Sequence, residues 1–404
     1  MISNSATSNS ADIIVAGHIC LDIIPSFSAE QTRLDELIVP GKLVQIGPAM
    51  MAMGGPVSNT GLSLFRLGVP VSLMGKVGDD ALGHAMLDIL SGHDSALAAG
   101  MLVVPGENSS YTLVMNPPGV DRCFLHCSGA NDTFAPEDVP YDKLTGGKIF
   151  HFGYPPLMEQ MFAHGGGPMS QIFAQVKAAG VATSLDMAMP DPQSAAGRLD
   201  WKSWLAEVLP QVDIFLPSAE EILFMIHRQR FDAATASGAA DLAAHVDGDL
   251  LADVADELID LGAAVVGLKL GDQGLYLRTS QDAPERLASI HPALAESSWA
   301  GRDLITPCFQ VEVVGTTGSG DATIAGFLAA LLRGESPEAA VTSAVAVGAC
   351  NVEAADSTSG VRVWSDTEKR IEAGWDRHEV AISPAAWQPT AVAGVLAGGR
   401  DAAR

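Results

Sequence analysis

Six short apolar runs alternate with segments of helical spacing, and this alternation constrains the fold of the 404-residue chain more than any other feature. Strands that alternate with helices form parallel sheets covered by helices on both faces. The pattern therefore predicts an α/β fold built on a doubly wound, mostly parallel sheet. The apolar runs occupy residues 12–17, 71–75, 148–152, 181–186, 212–216 and 264–270.

Four regions depart from this rhythm. Residues 1–10 lack Lys, Arg and an apolar run, which is untypical of a signal peptide, and we expect a flexible leader. Residues 228–250 and 280–307 are interpreted as insertions. The Ala- and Gly-rich tail, residues 381–404, is expected to be partly disordered.

A glycine-rich turn between an apolar strand and an apolar helix is predicted within residues 311–327, VEVVGTTGSGDATIAGF. Such a turn directs backbone N–H groups and a helix N-terminus at an anion. Asp321 follows Gly320, where a phosphate-binding P-loop requires Lys. A carboxylate beside a phosphate site suits a base that takes a proton from an attacking hydroxyl. The turn indicates phosphoryl transfer to an alcohol, and the alternative is an ordinary connection capped by Asp321.

Further motifs follow one another along the chain. Asp22 follows an apolar strand, a diglycine begins GGPVSNTGLSLFRLG at residues 54–68, and later segments read GKVGDDALG (75–83), FLPSAEEI (215–222) and VVGLKLGDQGLYL (265–277). In this order, and over about residues 12–375, the set resembles the ribokinase, or phosphofructokinase-B type, family of carbohydrate and nucleoside kinases. The diglycine stretch and TTGSGDA are the most specific motifs.

The resemblance implies a ribokinase-like kinase domain at residues 11–380. Residues 20–50 and 102–128, which contain short extended segments, are then expected to form a small β-sheet lid over the acceptor. It further implies ATP and Mg²⁺ as cofactors, a sugar or nucleoside acceptor and a homodimer formed through the lid.

The same resemblance implies individual roles. Asp321 matches the catalytic base, and the anion hole matches Gly318, Ser319 and Gly320. The implied acceptor-binding residues are Asp22, Gly54, Gly55 and Asn59, although Asn59 could instead cap its own helix. The implied nucleotide-site residues are Lys269, Gly271, Gly274, Asn351 and Gly360.

The metal-binding positions depart from the family pattern. Glu221 matches a glutamate that acts on Mg²⁺ through water, but Ser218 stands where Asn is usual, and the pair could instead be a capping box. Gly315 stands where the family carries an Asp beside a monovalent cation. Without that carboxylate we expect such a cation to bind poorly.

Composition limits the partners. The net charge of −25 argues against nucleic acid or an anionic membrane as a partner. No apolar run approaches membrane-spanning length. Five cysteines without a C-x-x-C motif fit a reducing cytoplasm, and Cys123 and Cys127 on the strand face opposite His126 make a poor metal site.

Three functions remain open from sequence. The first is an ATP-dependent sugar kinase, and the second is a nucleoside kinase on the same fold. A nucleoside needs aromatic or apolar side chains around its base, and only 6% of residues are Phe, Trp or Tyr. The third is a non-catalytic sugar- or nucleotide-binding protein, which the changes at Ser218 and Gly315 favour and the intact GSGD sequence opposes.

Overall fold

A computed structural model describes residues 11–119, 123–236, 246–380, 382 and 387–403. The predicted leader lies outside the described residues, and so does part of the predicted insertion at 228–250. The described part of that insertion contributes helices to the domain. The strands are β1 Ile13–Gly17, β2 Cys20–Pro25, β3 Ala49–Gly54, β4 Val71–Met74, β5 Lys76–Gly78, β6 Leu102–Val104, β7 Tyr111–Met115, β8 Cys123–Cys127, β9 Ile149–Gly153, β10 Ala163–Gly166, β11 Ala182–Leu185, β12 Ile214–Phe215, β13 Val265–Lys269, β14 Leu275–Thr279, β15 Asp303–Thr306, β16 Gln388–Pro389 and β17 Leu396–Ala397.

Helices occupy the connections between strands. They are α1 Leu34–Leu37, α2 Pro56–Arg66, α3 Ala81–His93, α4 Ser95–Ala98, α5 Glu159–Phe162, α6 Gly167–Ala178, α7 Trp201–Val208, α8 Ala219–Ile226, α9 Arg228–Ala236, α10 Gly248–Asp260, α11 Ala283–Leu287, α12 Ser319–Leu332, α13 Pro337–Asn351 and α14 Trp364–Glu372. Among the helices that the structure describes, none combines the length and apolar character needed to cross a bilayer.

One large sheet organises the molecule. Its strand order is β16-β17-β15-β14-β13-β12-β11-β9-β1-β4. The six strands from β4 to β13 are parallel, and the four from β14 to β16 pair antiparallel. All six strands predicted from sequence lie in the parallel part. The predicted doubly wound, mostly parallel α/β fold is confirmed.

Two hydrophobic cores lie on opposite faces of this sheet. Successive strand side chains point to opposite faces, so Ile13 and Val15 enter one core and Ile14 and Ala16 enter the other. Helices α2, α12 and α13 cover the first face, and α6, α7, α8 and α10 cover the second. Strands buried on both faces explain why the parallel segments read as continuous apolar runs.

A second sheet of four strands, in the order β3-β2-β7-β8, forms the predicted lid. Its register aligns Ala52, Asp22, Thr112 and His126 in one row on one face. The neighbouring row, on the other face, contains Met51, Ile23, Leu113 and Leu125. One part of the predicted lid belongs elsewhere, since β6 pairs with β5 in a separate two-stranded sheet.

One sequence prediction in the C-terminal half is wrong. The apolar stretch 311–314 is not a strand: Val313 and Val314 are exposed, and the Val314 N–H donates to the Val352 carbonyl beyond α13. The position it would occupy is taken by β15, which arises within the predicted insertion 280–307.

The described part of the tail, within residues 387–403, contributes two short strands. Strands β16 and β17 extend the large sheet beyond β15. The buried Asp401 accepts hydrogen bonds from Arg302 Nε at 3.1 Å and from the Asp303 N–H. These contacts connect the segment around Asp401 to the start of β15.

Candidate active site

Functional side chains gather where the parallel strands end. Tyr154 follows β9, Asp186 follows β11, Ser218 follows β12 and Lys269 ends β13. Parallel strands end at one edge of a sheet, which is where ligands bind in open α/β folds. A cavity of about 380 Å³ opens at this edge, and its walls include Tyr154, Ser218, Glu221 and Lys269.

The glycine-rich turn completes this cavity. Gly318 precedes the first turn of α12 in the left-handed conformation, with φ 73°. A Cβ there would lie 2.5 Å from the Ser357 carbonyl oxygen, so only glycine fits without strain. Gly320 lies against the Lys269 side chain, at a distance that would place a Cβ 3.6 Å from Lys269 Cδ. The first N–H groups of α12 therefore stand next to a lysine, as an anion site requires.

Ser319 contributes less to this turn than the sequence prediction assumed. Its N–H donates to the Thr316 carbonyl oxygen at 3.3 Å, within the turn itself. Gly318, Gly320 and Asp321 line the same cavity as Ser319. The structure thus brings the predicted anion-hole residues together, with the Ser319 N–H committed to the backbone.

Asp321 is held by three donors. Its Oδ2 accepts hydrogen bonds from Asn59 Nδ2 and from the Tyr154 hydroxyl, each at 3.1 Å, and its Oδ1 accepts one from Thr60 Oγ1 at 3.1 Å. The helix α12 begins with Gly318 as its cap, and Asp321 does not cap it. The alternative of an ordinary capping Asp is therefore wrong.

Two opposing effects act on this carboxyl. Burial disfavours the charged form and raises the pKa of Asp321 above its ordinary value. The Lys269 ammonium and the three donors favour the carboxylate and oppose that rise. The position in the first turn of α12 also stabilises negative charge.

Lys269 is the cation at the centre of an acidic group. Its Nζ lies 2.6 Å from Asp186 Oδ1, and its side chain is only 12% exposed. Burial and the neighbouring Glu221 and Asp321 raise the pKa of Asp186, whereas Lys269 opposes the rise. Three carboxyl groups around one lysine leave this part of the site with an attraction for cations.

Ser218 and Glu221 form a capping box, which the sequence analysis gave as the alternative to a metal-binding role for Glu221. Ser218 Oγ accepts from the Glu221 N–H at 3.1 Å, and Glu221 Oε2 accepts from the Ser218 N–H at 2.7 Å. Glu221 nevertheless lines the cavity, and burial raises the pKa of its carboxyl. A carboxylate accepts at more than one position, so the capping bond leaves room for a further ligand.

The predicted acceptor residues meet at the junction of lid and body. Gly54 makes room for Asp22, because a Cβ there would lie 2.6 Å from Asp22 Oδ2. Gly55, with φ 86°, precedes α2 as its cap. Asn59 therefore does not cap its own helix, and its amide reaches Asp321 instead. Asp321 thus stands between the cavity and these acceptor residues.

The predicted nucleotide residues are only partly brought together. Lys269 and Gly271 line the cavity, whereas Gly274 packs against Thr306. Asn351 is fully buried behind the turn, where its Nδ2 donates to the Thr317 carbonyl oxygen at 3.0 Å. Gly360 lines a separate cleft with Arg66 and Arg362. Neither Asn351 nor Gly360 reaches the cavity.

Sequence reasoning missed three partners in this site. Thr60 directly follows Asn59 in the diglycine motif, so its position in the first turns of α2 was the available signal. Asp186 was recognised as ending a strand but was given no role. Tyr154 adopts φ 63°, and among the residues that the structure describes no other non-glycine residue has a positive φ. Such backbone strain concentrates at functional sites, and sequence does not show it.

The fold and the site together define a class of kinases that transfer a phosphoryl group to an alcohol. Residues 13–363 match the sequence profile of the pfkB family carbohydrate kinases. The chain belongs to this family, which confirms the predicted family and its kinase class.

Individual relatives are distant. An uncharacterised sugar kinase of Archaeoglobus fulgidus is 23% identical over 277 residues, covering 69% of this chain and 89% of that protein. The structure is similar to the fructokinase of Xylella fastidiosa with bound ATP, with a TM-score of 0.65, 18% identity, and coverage of 90% of this chain and 99% of the other. It is also similar to the ribokinase of Arabidopsis thaliana with ribose and ATP, with a TM-score of 0.64, 19% identity, and coverage of 89% and 98%. At these identities the two structures show the fold alone.

Proposed function

We propose that this protein transfers the γ-phosphoryl group of ATP to a hydroxyl group of a sugar, with Asp321 as the general base. The observation that carries this proposal is the position of the Asp321 carboxylate. It joins the acceptor side, through Asn59, to the cavity beside Lys269. A base in that position can meet an acceptor hydroxyl while the anion-hole turn holds the phosphoryl group.

The hydrogen bonds of Asp321 leave one acceptor position on its carboxylate unused. A carboxylate offers about four acceptor positions. Asn59 and Tyr154 occupy Oδ2, and Thr60 occupies one position on Oδ1. The remaining position on Oδ1 accepts the sugar hydroxyl. As its oxygen bonds to the γ-phosphorus, the bond from that phosphorus to ADP breaks and the proton passes to Asp321.

The backbone and Lys269 stabilise the negative charge of the transferred group. The N–H groups of Gly318 and Gly320, at the start of α12, face the developing charge on the phosphoryl oxygens. Lys269, next to Gly320, adds a positive charge while its partner Asp186 keeps it in place. Gly271 is the remaining predicted nucleotide residue at this cavity.

The acidic group beside this cavity fits Mg²⁺. Glu221 lines the cavity, and Asp186 Oδ2 is buried without a hydrogen-bond partner among the described residues. Carboxylate oxygens are the ligands that Mg²⁺ prefers, with water completing its shell. We propose that Glu221 holds the ion through water. When bound with ATP, Mg²⁺ would neutralise phosphate charge. The prediction that a monovalent cation binds poorly near Gly315 stays a prediction.

The domain limits and the homodimer also remain proposals. The lid row Met51, Ile23, Leu113 and Leu125 lies on the face opposite Asp22, and Met51 and Leu125 at its two ends are 58% and 50% exposed. We propose that a second copy of the chain covers this row, since exposed apolar patches mark interaction surfaces.

The five free cysteines support the expected reducing cytoplasm.

One observation keeps a nucleoside acceptor in consideration. The rings of His126, His18 and Tyr154 follow one another beside Asp22, with centroids 5.1 Å and 6.2 Å apart. Three neighbouring rings of this kind can contact a nucleobase, although the chain contains few aromatic residues. Sugars remain the favoured acceptors because Asp22 offers a carboxylate suited to neighbouring hydroxyl groups.

An acceptor screen with γ-labelled ATP and Mg²⁺ tests the proposed function. Pentoses, hexoses and nucleosides are offered separately, and transfer of label to the acceptor is measured against hydrolysis without acceptor. The proposal predicts a labelled sugar phosphate. Labelling of nucleosides alone would replace sugar by nucleoside. Tight ATP binding without transfer to any acceptor would favour the non-catalytic binding protein.

A further inference from the structure

A cluster of two imidazoles and a thiol lies where the lid joins the body. Cys20 begins β2 and shares a strand face with Asp22 two residues later. The lid register places His126 in the same row as Asp22, with Thr112 between them. His18 reaches the cluster from the connection between β1 and β2. Two segments distant in sequence, one with His18 and Cys20 and the other with His126, therefore bring side chains to one point.

The distances within this cluster fit a metal ion. His18 Nε2 lies 3.3 Å from His126 Nε2. One ligand atom from each of His18, Cys20 and His126 lies within 4.8 Å of the other two. For zinc–nitrogen bonds of about 2.0–2.1 Å in tetrahedral geometry, two nitrogens stand roughly 3.3 Å apart. The two imidazoles already have this separation, and a shift of about 1 Å would bring the thiol to bonding distance.

The surroundings hold both imidazoles in place. His18 is buried at the junction of the lid and the body. Thr112 Oγ1 lies 3.0 Å from His126 Nδ1 and so orients the ring with Nε2 towards His18. A second partner of this kind is typical of metal-binding histidines.

One nitrogen of the cluster has no hydrogen-bond partner. His18 is 2% exposed, and its Nδ1 is buried without a partner among the described residues. Coordination of an ion through Nε2 places the proton of His18 on Nδ1 and leaves that N–H unpaired. The case for a metal ion therefore depends on the separation of the two Nε2 atoms and on the nearby thiol.

We propose that His18, Cys20 and His126 bind a divalent transition-metal ion of borderline softness, for which Zn²⁺ is the natural probe. Two imidazoles and a thiolate favour such an ion over Mg²⁺ or Ca²⁺. The ion joins the lid edge strand β8 to the start of β2, beside Asp22. It displaces the thiol proton of Cys20, which is released to solvent as the sulfur–metal bond forms. Three protein ligands leave a fourth position for water or another oxygen.

Cobalt titration of the tag-free, chelator-treated and reduced protein tests this site without reference to kinase activity. We expect one Co²⁺ per chain, a near-ultraviolet charge-transfer band from thiolate to cobalt, and strong visible bands typical of tetrahedral coordination. Added Zn²⁺ should remove these bands. We also expect Zn²⁺ to raise the melting temperature, since it binds the folded chain.

Variants locate the ion. Cys20→Ser should abolish the charge-transfer band and weaken binding at least tenfold. His126 is exposed, so the change His126→Gln carries little risk to folding. It should weaken metal binding by a similar factor. Cys127→Ser, on the same strand as His126, is the matched control and should bind cobalt as the unmodified protein does. Absence of the band in the unmodified protein, its persistence in Cys20→Ser, or its loss in Cys127→Ser would overturn the proposal.

Discussion

The central feature at the scale of single residues is a carboxylate with one unused acceptor position. Asn59, Thr60 and Tyr154 fix the orientation of Asp321 and favour its charged form. Burial acts in the opposite direction and raises its pKa. A base whose pKa is raised by burial takes up a proton more strongly than an exposed Asp does.

Tyr154→Phe tests this balance. The change removes a donor that favours the charged form, so the pKa of Asp321 rises further and the base is ionised only at higher pH. The acid limb of the pH profile of kcat/KM should therefore move to higher pH. On that limb we expect kcat/KM to fall by about tenfold, since a hydrogen bond to a charged group contributes roughly 1.5–3 kcal/mol.

Tyr141→Phe is the control for this experiment. The Tyr141 hydroxyl donates to the Pro136 carbonyl oxygen at 2.9 Å, away from Asp321. Its loss should leave the acid limb in place. An unchanged profile for Tyr154→Phe, or a move to lower pH, would show that Tyr154 does not act on the base.

At the scale of elements, the turn before α12 depends on a left-handed glycine. Gly318→Ala places a Cβ against Ser357 and disturbs the N–H groups of the anion hole. We expect kcat to fall about 10²-fold, the scale for loss of one such donor. Gly180→Ala separates this effect from backbone strain, because Gly180 has φ 79° and open space around it.

Both glycine variants should lose roughly 1–2 kcal/mol of unfolding free energy from the left-handed conformation. The clash with Ser357 adds to that loss in Gly318→Ala alone. Denaturant unfolding and steady-state kinetics measure the two effects. Equal kcat values for Gly318→Ala and Gly180→Ala would remove the turn from catalysis.

Elements buried on both faces were predictable, and elements decided by distant partners were not. The six parallel strands read as apolar runs because helices cover both sheet faces. Residues 311–314 carry the same local pattern, yet β15 already pairs with β14 at the position that such a strand would take. Strands β16 and β17 have only two residues each and depend on pairing with β15. Strand preference depends on such context more than on composition.

The site was predictable to a similar extent. Motifs placed Asp321, Asn59 and Lys269 in the sequence, and the structure brings them together with Glu221. The contact of Asp186 with Lys269 and the contact of Tyr154 with Asp321 join elements that are distant in sequence. The cluster of His18, Cys20 and His126 depends on lid register, which a single sequence does not specify.

At the scale of the whole molecule, self-association is predicted from the apolar row on the lid face opposite Asp22, which consists of Met51, Ile23, Leu113 and Leu125. Leu125→Glu places a charge in this row and should convert a homodimer to monomers, because a charge at the core of an apolar interface loses its hydration. Sedimentation velocity over a range of concentrations measures the change. Val363→Glu, at a similarly exposed residue outside the lid, should leave the dimer intact. A monomeric unmodified protein, or equal effects of both variants, would contradict the proposed interface.

The most direct test of the account is the turnover of Asp321→Asn. Asn keeps the size of the side chain but cannot take the proton, so kcat should fall by about 10²–10⁴ while ATP affinity, measured by calorimetry, changes little. Asp88→Asn, on the exposed face of α3, should retain normal turnover. Near-normal kcat in Asp321→Asn would contradict the assignment of Asp321 as the general base.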